Sequence, residues 1–171
     1  MKKQNGLTLI EIVVAIGILA LAMPGVMYYF LNWKSSLSEV RLRSLATQLA
    51  QDLMEEIASK KWDENRSQGP TTSPSTIGPD TGESRYTAGL STSYDDVDDY
   101  NGLSESPPQN AQGVSLTTFS GFARSVQVIY VNSTDLDTSV TGPTNNKRIQ
   151  VTVTWNGGSD SVQLVNVFSN R

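Results

Sequence analysis

The pattern of apolar and polar residues divides the chain into an apolar N-terminal segment, a helical segment with one apolar face, and a C-terminal part that alternates. From Ile12 to Leu31 there are twenty residues without a charge. As a helix this segment would be about 30 Å long, which matches the hydrocarbon core of a bilayer. A secretory signal peptide has a shorter apolar segment of about 7–15 residues and a small-residue cleavage site beyond it. The pattern therefore predicts a retained membrane-spanning helix.

The next segment shows the spacing of an amphipathic helix. Large apolar residues recur at intervals of three and four, which places them on one face. They are Leu42, Leu45, Leu49, Leu53 and Ile57, with Ala46, Ala50 and Met54 beside them. We predict one continuous helix from about Leu7 to about Lys61, with its second half lying on another element.

The C-terminal third is predicted to form an antiparallel sheet, because three segments alternate apolar and polar residues. They are Arg124–Val131, Arg148–Trp155, with Ile149, Val151, Val153 and Trp155 on one face, and Ser161–Phe168. The glycine-containing turn at Asn156–Asp160 predicts that the last two form a hairpin. Phe119 and Phe122 are expected to start another strand or to cover an end of the sheet. The expected fold class is α+β, a long N-terminal helix packed on this sheet.

A long segment between helix and sheet, Asn65–Glu83, is rich in glycine, proline, serine and threonine. These residues break both helices and strands, so we predict an exposed loop. Loops of this length are uncommon in compact domains, so it is expected to be partly disordered or packed over the sheet by Ile77, Tyr86 and Leu90.

The composition argues against several functions. The net charge is −4, which does not suit a general nucleic-acid surface. The sequence has no cysteine and no histidine, so it offers no Cys–His pair, Ser–His–Asp triad or histidine-bearing zinc site. Neither phosphate-binding glycine motif occurs, and nothing places two carboxylates across a cleft. We therefore expect no enzyme and no required cofactor.

Four carboxylates lie within five residues at Asp95, Asp96, Asp98 and Asp99. They repel one another unless they are solvated, hydrogen-bonded to backbone amides, paired with Arg85 or Arg124, or bound to a cation. The EF-hand pattern fails in every register.

Three interpretations of this acidic run are open: a hydrogen-bonded structural turn, a calcium site of another kind, and an exposed surface for a partner. Tyr94 and Tyr100 flank the acids, which favours a packed turn.

Glu11 is an ionisable residue at the start of the apolar segment. Such a group costs on the order of 3 kcal/mol to insert and is by default a functional hypothesis. Its natural partner would be a positive amine, because a buried charge needs a counter-charge. In the other interpretation it lies at the headgroup level, where a carboxylate near a helix N-terminus is inexpensive.

The N-terminal residues resemble the class III leader of type IV pilins and pseudopilins. The resemblance rests on Lys2 and Lys3, then Gly6, and the sequence LTLIE from Leu7 to Glu11. It implies that prepilin peptidase cuts after Gly6 and methylates Leu7, where the family usually has phenylalanine. The cut removes both leader lysines, so the net charge becomes −6. A single-pass anchor with a short cytoplasmic tail is the alternative.

The resemblance also implies the domain organisation and the partners. Residues 1–6 would be the leader, 7–31 the transmembrane and filament-core helix, 32–62 the amphipathic helix, and 63–171 the globular head. The partners would be other major and minor pilins, the inner-membrane assembly machinery and the membrane, with Glu11 pairing the N-terminal amine of itself or of a neighbouring subunit. The location would be the inner membrane before assembly and a surface pilus afterwards.

Pro24 and Gly25 are the predicted kink or melting point of the helix, because proline removes a helical hydrogen bond and clashes with the preceding turn. An ordinary membrane-helix kink and a weak point that lets the helix stretch in a filament are both open.

The stretch DDVDDYNG at residues 95–102 resembles a motif of minor pilins of the mannose-sensitive haemagglutinin (MSHA) pilus. It favours a minor pilin that assembles into or primes a pilus and contributes to adhesion. The first alternative is a minor pseudopilin of type II secretion. The second, from another class, is a pilus-displayed adhesin that uses loops of residues 65–120 to bind glycans or other ligands.

Overall fold

A computed structural model describes residues 8–62, 77–86 and 93–170 of the chain. Within these residues it has one α-helix and one five-stranded antiparallel sheet. The elements are α1 Leu9–Ala58, β1 Ser104–Glu105, β2 Ala123–Asn132, β3 Asp135–Ser139, β4 Asn146–Trp155 and β5 Asp160–Ser169. The predicted α+β class is confirmed. The chain divides into two compact units, the N-terminal unit Met1–Arg41 and the head unit Leu42–Arg171.

The helix α1 is close to the predicted span of 7–61. It continues without interruption through Pro24 and Gly25, so a bend at these residues stays a prediction. The predicted stripe in its second half is confirmed. Leu49, Leu53 and Ile57 are buried at the centre of the head unit, and Leu42 and Leu45 are partly buried at its margin.

The three predicted strands are confirmed as β2, β4 and β5, each two residues longer than expected. The strand order is β1-β2-β4-β5, with β3 paired to β2. The register of β4 and β5 runs from Asn146 opposite Ser169 to Trp155 opposite Asp160. The predicted hairpin is therefore present, and its turn contains Gly157 and Gly158 with φ of 67° and 89°, values that glycine adopts at little cost.

Part of the chain between β2 and β4 forms β3, a strand that its turn-rich composition did not predict. All five residues of β3 are exposed, so they bury no apolar face and give no alternating pattern. Of the two phenylalanines before β2, Phe119 lies in a short 3₁₀ turn, Thr117–Phe119. Phe122 is buried with its ring centroid 6.3 Å from that of Trp155. Both residues cover an end of the sheet and start no strand.

The predicted loop at 65–83 lies outside the described residues except for its last part, and Leu90 is outside them as well. Ile77 packs against the core, as expected. Tyr86 is 48% exposed, so the expectation that it packs over the sheet is wrong. Its ring lies instead beside Gly113, where an added Cβ would come within 3.1 Å of ring atom Cδ1.

Candidate functional site

The first turn of α1 holds Glu11 by local hydrogen bonds. The Glu11 carboxylate accepts from the backbone N–H of Thr8 at 3.1 Å and from its hydroxyl at 3.0 Å. A glutamate at the third helical position that reaches back to the residue before the helix is part of a capping box. Within one subunit, this carboxylate therefore has the helix N-terminus as its partner. The T-x-x-E spacing of Thr8 and Glu11 is a signal from which Thr8 could have been predicted.

The following segment, Leu9–Leu31, is long and apolar enough to cross a membrane by length and composition. It has 23 residues, and its most apolar stretch has a mean hydropathy of 2.4 and is not buried. Apolar surface of this extent is unfavourable in water, so it requires lipid or other apolar helices around it. Gly6 and Leu7, the predicted processing residues, lie outside the described residues, and their role stays a prediction.

The acidic run folds into a hydrogen-bonded turn. The Asp96 Oδ1 atom accepts from the backbone N–H of Asp98 at 2.8 Å and of Asp99 at 3.3 Å. In return, Asp99 Oδ2 accepts from the N–H of Asp95 at 2.9 Å and of Asp96 at 3.1 Å. Backbone amides thus satisfy two of the four carboxylates, as the packed-turn interpretation expected.

Lysines, not arginines, pair with the other two carboxylates. Asp98 forms an ion pair with Lys147, a fully buried residue of β4. The ammonium of Lys147 also donates to the carbonyl of Trp62 at 2.8 Å. Asp95 pairs with Lys61 at 2.9 Å, and the N–H of Val97 bonds to the Lys61 carbonyl at 3.0 Å. The acidic turn therefore fastens the chain that leaves α1 to the sheet.

Burial controls the acidity of this turn. It raises the pKa of Asp98 to about 7, a rise that the charge and hydrogen bond of Lys147 oppose and the nearby Asp96 reinforces. Burial likewise raises the pKa of Asp99 to about 7, against the two backbone hydrogen bonds it accepts. An inward-facing acidic turn of this kind is not the fully ionised, solvated loop that an exposed partner surface would present.

Arg85 and Arg124 belong to a separate buried ion network with two glutamates. Arg85 binds Glu56 of α1 at 2.6 and 3.1 Å and also contacts Glu105 of β1. Arg124 of β2 binds the other oxygen of Glu105 at 2.6 and 3.1 Å. The Tyr100 hydroxyl donates to Glu56 at 2.8 Å. The network joins helix, loop and sheet inside the head unit.

The electrostatics of the network agree with ionised partners. Burial raises the pKa of Glu56, but the hydrogen bonds and charge of Arg85 outweigh it, so the net pKa is lowered. Burial and the neighbouring charge of Arg85 lower the pKa of Arg124 to about 10, which still leaves it charged near neutral pH. Pairing Arg85 or Arg124 with the acidic run, one of the alternatives considered, is therefore wrong.

Three carboxylates come close enough to share a cation. They belong to Glu83, Asp95 and Asp99, and one oxygen from each lies within 4.8 Å of the others. Of the four aspartates named as weak metal candidates from the sequence, the structure places Asp95 and Asp99 in this cluster. No sequence pattern pointed to Glu83. Asp96 and Asp98 are engaged elsewhere. A calcium site stays one of the open interpretations of the acidic run. Three oxygen ligands would supply only part of a calcium shell.

Calcium is expected to leave the melting temperature of a soluble fragment starting at Leu37 unchanged. Asp99 Oδ2 already accepts two backbone hydrogen bonds, and Asp95 Oδ2 is paired with Lys61, so a cation would have to displace existing partners. A calcium titration followed by circular dichroism measures this, with Asp95→Asn as the matched variant. A saturable rise that the variant abolishes would contradict the expectation, because a ligand specific to the folded state must stabilise it.

The helix with its capped N-terminus, its exposed apolar segment and the sheet that follows define the arrangement of a type IV pilin-like protein. In agreement, the family model for the prokaryotic N-terminal methylation motif matches residues 1–23. This motif is the leader of type IV prepilins and implies processing by prepilin peptidase, membrane anchoring and assembly with other pilins. It indicates a structural subunit. Searches of curated proteins and of solved structures gave no match.

Proposed function

We propose that this chain is a minor type IV pilin similar to the MshD component of the MSHA pilus. It is cut after Gly6, methylated at Leu7 and carried from the inner membrane into a pilus, which it primes or joins as a subunit. The observation that carries the proposal is the methylation motif at residues 1–23, which overlaps the apolar helical segment Leu9–Leu31, whose most apolar stretch is not buried among the described residues.

The mechanism is assembly by exchange of apolar contacts. In the membrane, lipid covers the segment Leu9–Leu31. In a filament, the same segments of neighbouring subunits cover one another, so the exchange keeps the apolar surface out of water. Packing between helices then selects subunits, and a charge such as Glu11 fixes their register because it needs a counter-charge inside the apolar core.

The assignment to a minor pilin is supported by the resemblance of residues 95–102 to MSHA-type subunits. A minor pseudopilin of type II secretion would share the leader and the helix, so only the filament it enters separates the two. The protein is expected in pili sheared from the cell surface, and not in a short periplasmic pseudopilus. Immunoblots of sheared fractions, from cells lacking either the pilus or the secretion assembly genes, distinguish these outcomes.

The replacement Gly6→Val is expected to leave a full-length, unmethylated precursor in the membrane. A bulkier residue before the cut blocks the peptidase, as the resemblance to the prepilin leader implies. Mass spectrometry of the N-terminal peptide measures the result: Met1 at the start for the variant, methylated Leu7 for the wild type.

The matched control is Asn5→Val, which places the same side chain one residue further from the predicted cut and should be processed more like the wild type. A wild-type protein that begins at Met1, or that is cut beyond residue 20, would refute the class III leader and with it the proposed function.

A further inference from the structure

Lys147 is completely buried in the head unit, although lysine is almost never fully buried unless it is paired. It lies on the inward face of β4, in phase with Ile149. Its ammonium contacts the carboxyl group of Asp98 directly, and the Asp98 side chain is only 11% exposed. The same ammonium donates to the carbonyl oxygen of Trp62 at 2.8 Å. The amine nitrogen is therefore held in place against the Asp98 carboxyl group.

Aromatic rings enclose this pair. The Nζ atom of Lys147 lies 4.8 Å from the ring centroid of Trp62 and 5.7 Å from that of Tyr130. Tyr130 is itself buried. The rings exclude water, and in such surroundings transfer of one proton turns two costly charges into a neutral amine and a carboxylic acid. A neutral amine is a nucleophile, and a carboxylic acid carries a hydroxyl that can leave as water.

A second carboxylate adjoins the reacting groups. Asp96 is 3% exposed, and its side chain lies within hydrogen-bonding reach of the Asp98 side chain. Two carboxylates this close repel each other unless they share a proton. The Oδ1 atom of Asp96 is fixed, because it accepts from the backbone N–H groups of Asp98 and Asp99. Asp96 is therefore placed to carry a proton to or from Asp98.

We propose that Lys147 and Asp98 condense to an amide, so that an isopeptide bond joins β4 to the acidic turn. One proton passes from the Lys147 ammonium to the Asp98 carboxylate, and the neutral Nζ attacks Cγ of Asp98. As the C–N bond forms, the nitrogen releases a second proton, which Asp96 carries to the departing hydroxyl. The C–O bond breaks and one water molecule leaves. Amine and carboxylic acid thus become amide and water, and Asp96 is regenerated without an oxidant, a reductant or a co-reactant.

The site favours condensation over hydrolysis. The two groups are in contact, which makes the step intramolecular, and burial keeps water away from the product. The amide also replaces two buried charges that are costly to desolvate. Lys147 and Asp98 are 49 positions apart, so the bond closes a long loop and restricts the unfolded chain as a disulfide does. The sequence has no cysteine, and this bond supplies the covalent cross-link that thiols would otherwise make.

The intact mass of the full chain, purified in detergent and then denatured, measures the bond. The wild type should be lighter by one water molecule than the mass calculated for its sequence and N-terminal processing. After digestion with trypsin, residues 86–124 should be joined to residues 125–148, with no cut after Lys147. Fragmentation of this product should show two N-termini, Tyr86 and Ser125, which distinguishes it from an uncut linear peptide of equal mass.

Three variants test the roles of these residues. Lys147→Arg should have its full calculated mass, because a guanidinium group stays charged and does not attack the carboxyl group. Asp96→Asn keeps an oxygen for the two backbone N–H groups but carries no proton, so the linked fraction should fall at least about tenfold. Lys61→Arg is the matched control. Lys61 also pairs with an aspartate, Asp95 at 2.9 Å, but its side chain is 67% exposed, so this variant should keep the water loss.

Three results would overturn the proposal: a wild type with its full calculated mass, a water loss located at another residue, such as a cyclised aspartate, or an unchanged linked fraction in Asp96→Asn. The first two need only the wild type, so they hold even where a variant fails to fold. Circular dichroism of each variant shows whether its fold is retained. The assay needs no filament, so its failure would leave the assembly function untouched.

Discussion

The replacement Glu105→Gln is expected to lower the free energy of unfolding of the head unit by about 3–5 kcal/mol. Glu105 has a side chain only 3% exposed and contacts both Arg85 and Arg124. Without its charge, Arg85 keeps the carboxylate of Glu56, but Arg124 loses the ion pair that the structure shows for it. An uncompensated buried charge costs far more than a surface one. Urea unfolding of the fragment starting at Leu37 measures the loss.

Glu55→Gln is the matched control, because Glu55 is an exposed glutamate of α1 that lies next to Glu56 of the network. Its effect should stay within about 0.5 kcal/mol. The double variant Glu105→Gln with Arg124→Gln should lose less free energy of unfolding than the two single variants lose together. In the double variant, neither of the two charges is left buried without the other. Additive losses, or a Glu105→Gln variant as stable as the wild type, would mean that these residues do not form an ion network in solution.

Hydrophobic spacing predicted most of the fold because most of the fold is organised by burial. The helical stripe from Leu42 to Ile57 and the alternation in β4 each follow from one face lying on the core. The exposed β3 has no such face, so its existence depends on pairing with β2, a contact that no local pattern records. The same holds for the two-residue β1.

The sequence pattern indicates which basic side chains are buried, but not which acidic residues they pair with. Arg124 is in phase with Val126 and Val128, and Lys147 is in phase with Ile149 and Val151, so the alternation itself indicates that both basic side chains point inward. Their partners lie far away along the chain: Lys147 and Asp98 are 49 positions apart. Which acid meets which base is therefore a property of the tertiary structure.

The replacement Glu11→Gln is expected to reduce incorporation of the subunit into pili about a hundredfold or more, if an N-terminal amine is its partner in the filament. The proposed pair would lie in an apolar core, where removal of one partner costs on the order of 3–5 kcal/mol. Each 1.4 kcal/mol is a factor of ten in an equilibrium. Cleavage and membrane insertion should continue, and insertion should become easier without the charge.

Glutamine makes this a test of charge alone. In one subunit the Glu11 carboxylate accepts from the N–H and the hydroxyl of Thr8, and the amide oxygen of glutamine can accept the same bonds, since capping boxes use either residue. The helix start should thus be preserved. Glu39→Gln, at an exposed position of the same helix, controls for loss of a negative charge in general.

The measurement compares the subunit in sheared pili and in membranes for wild type, Glu11→Gln and Glu39→Gln. A subunit at the tip has no neighbour ahead of it to meet through Glu11, so a smaller loss there would indicate a tip position. Equal incorporation of all three proteins would contradict the role of Glu11 in register for internal subunits. The hydrogen bonds to Thr8 would then account for this carboxylate by themselves, because a charge that caps its own helix at the headgroup level needs no partner from another subunit.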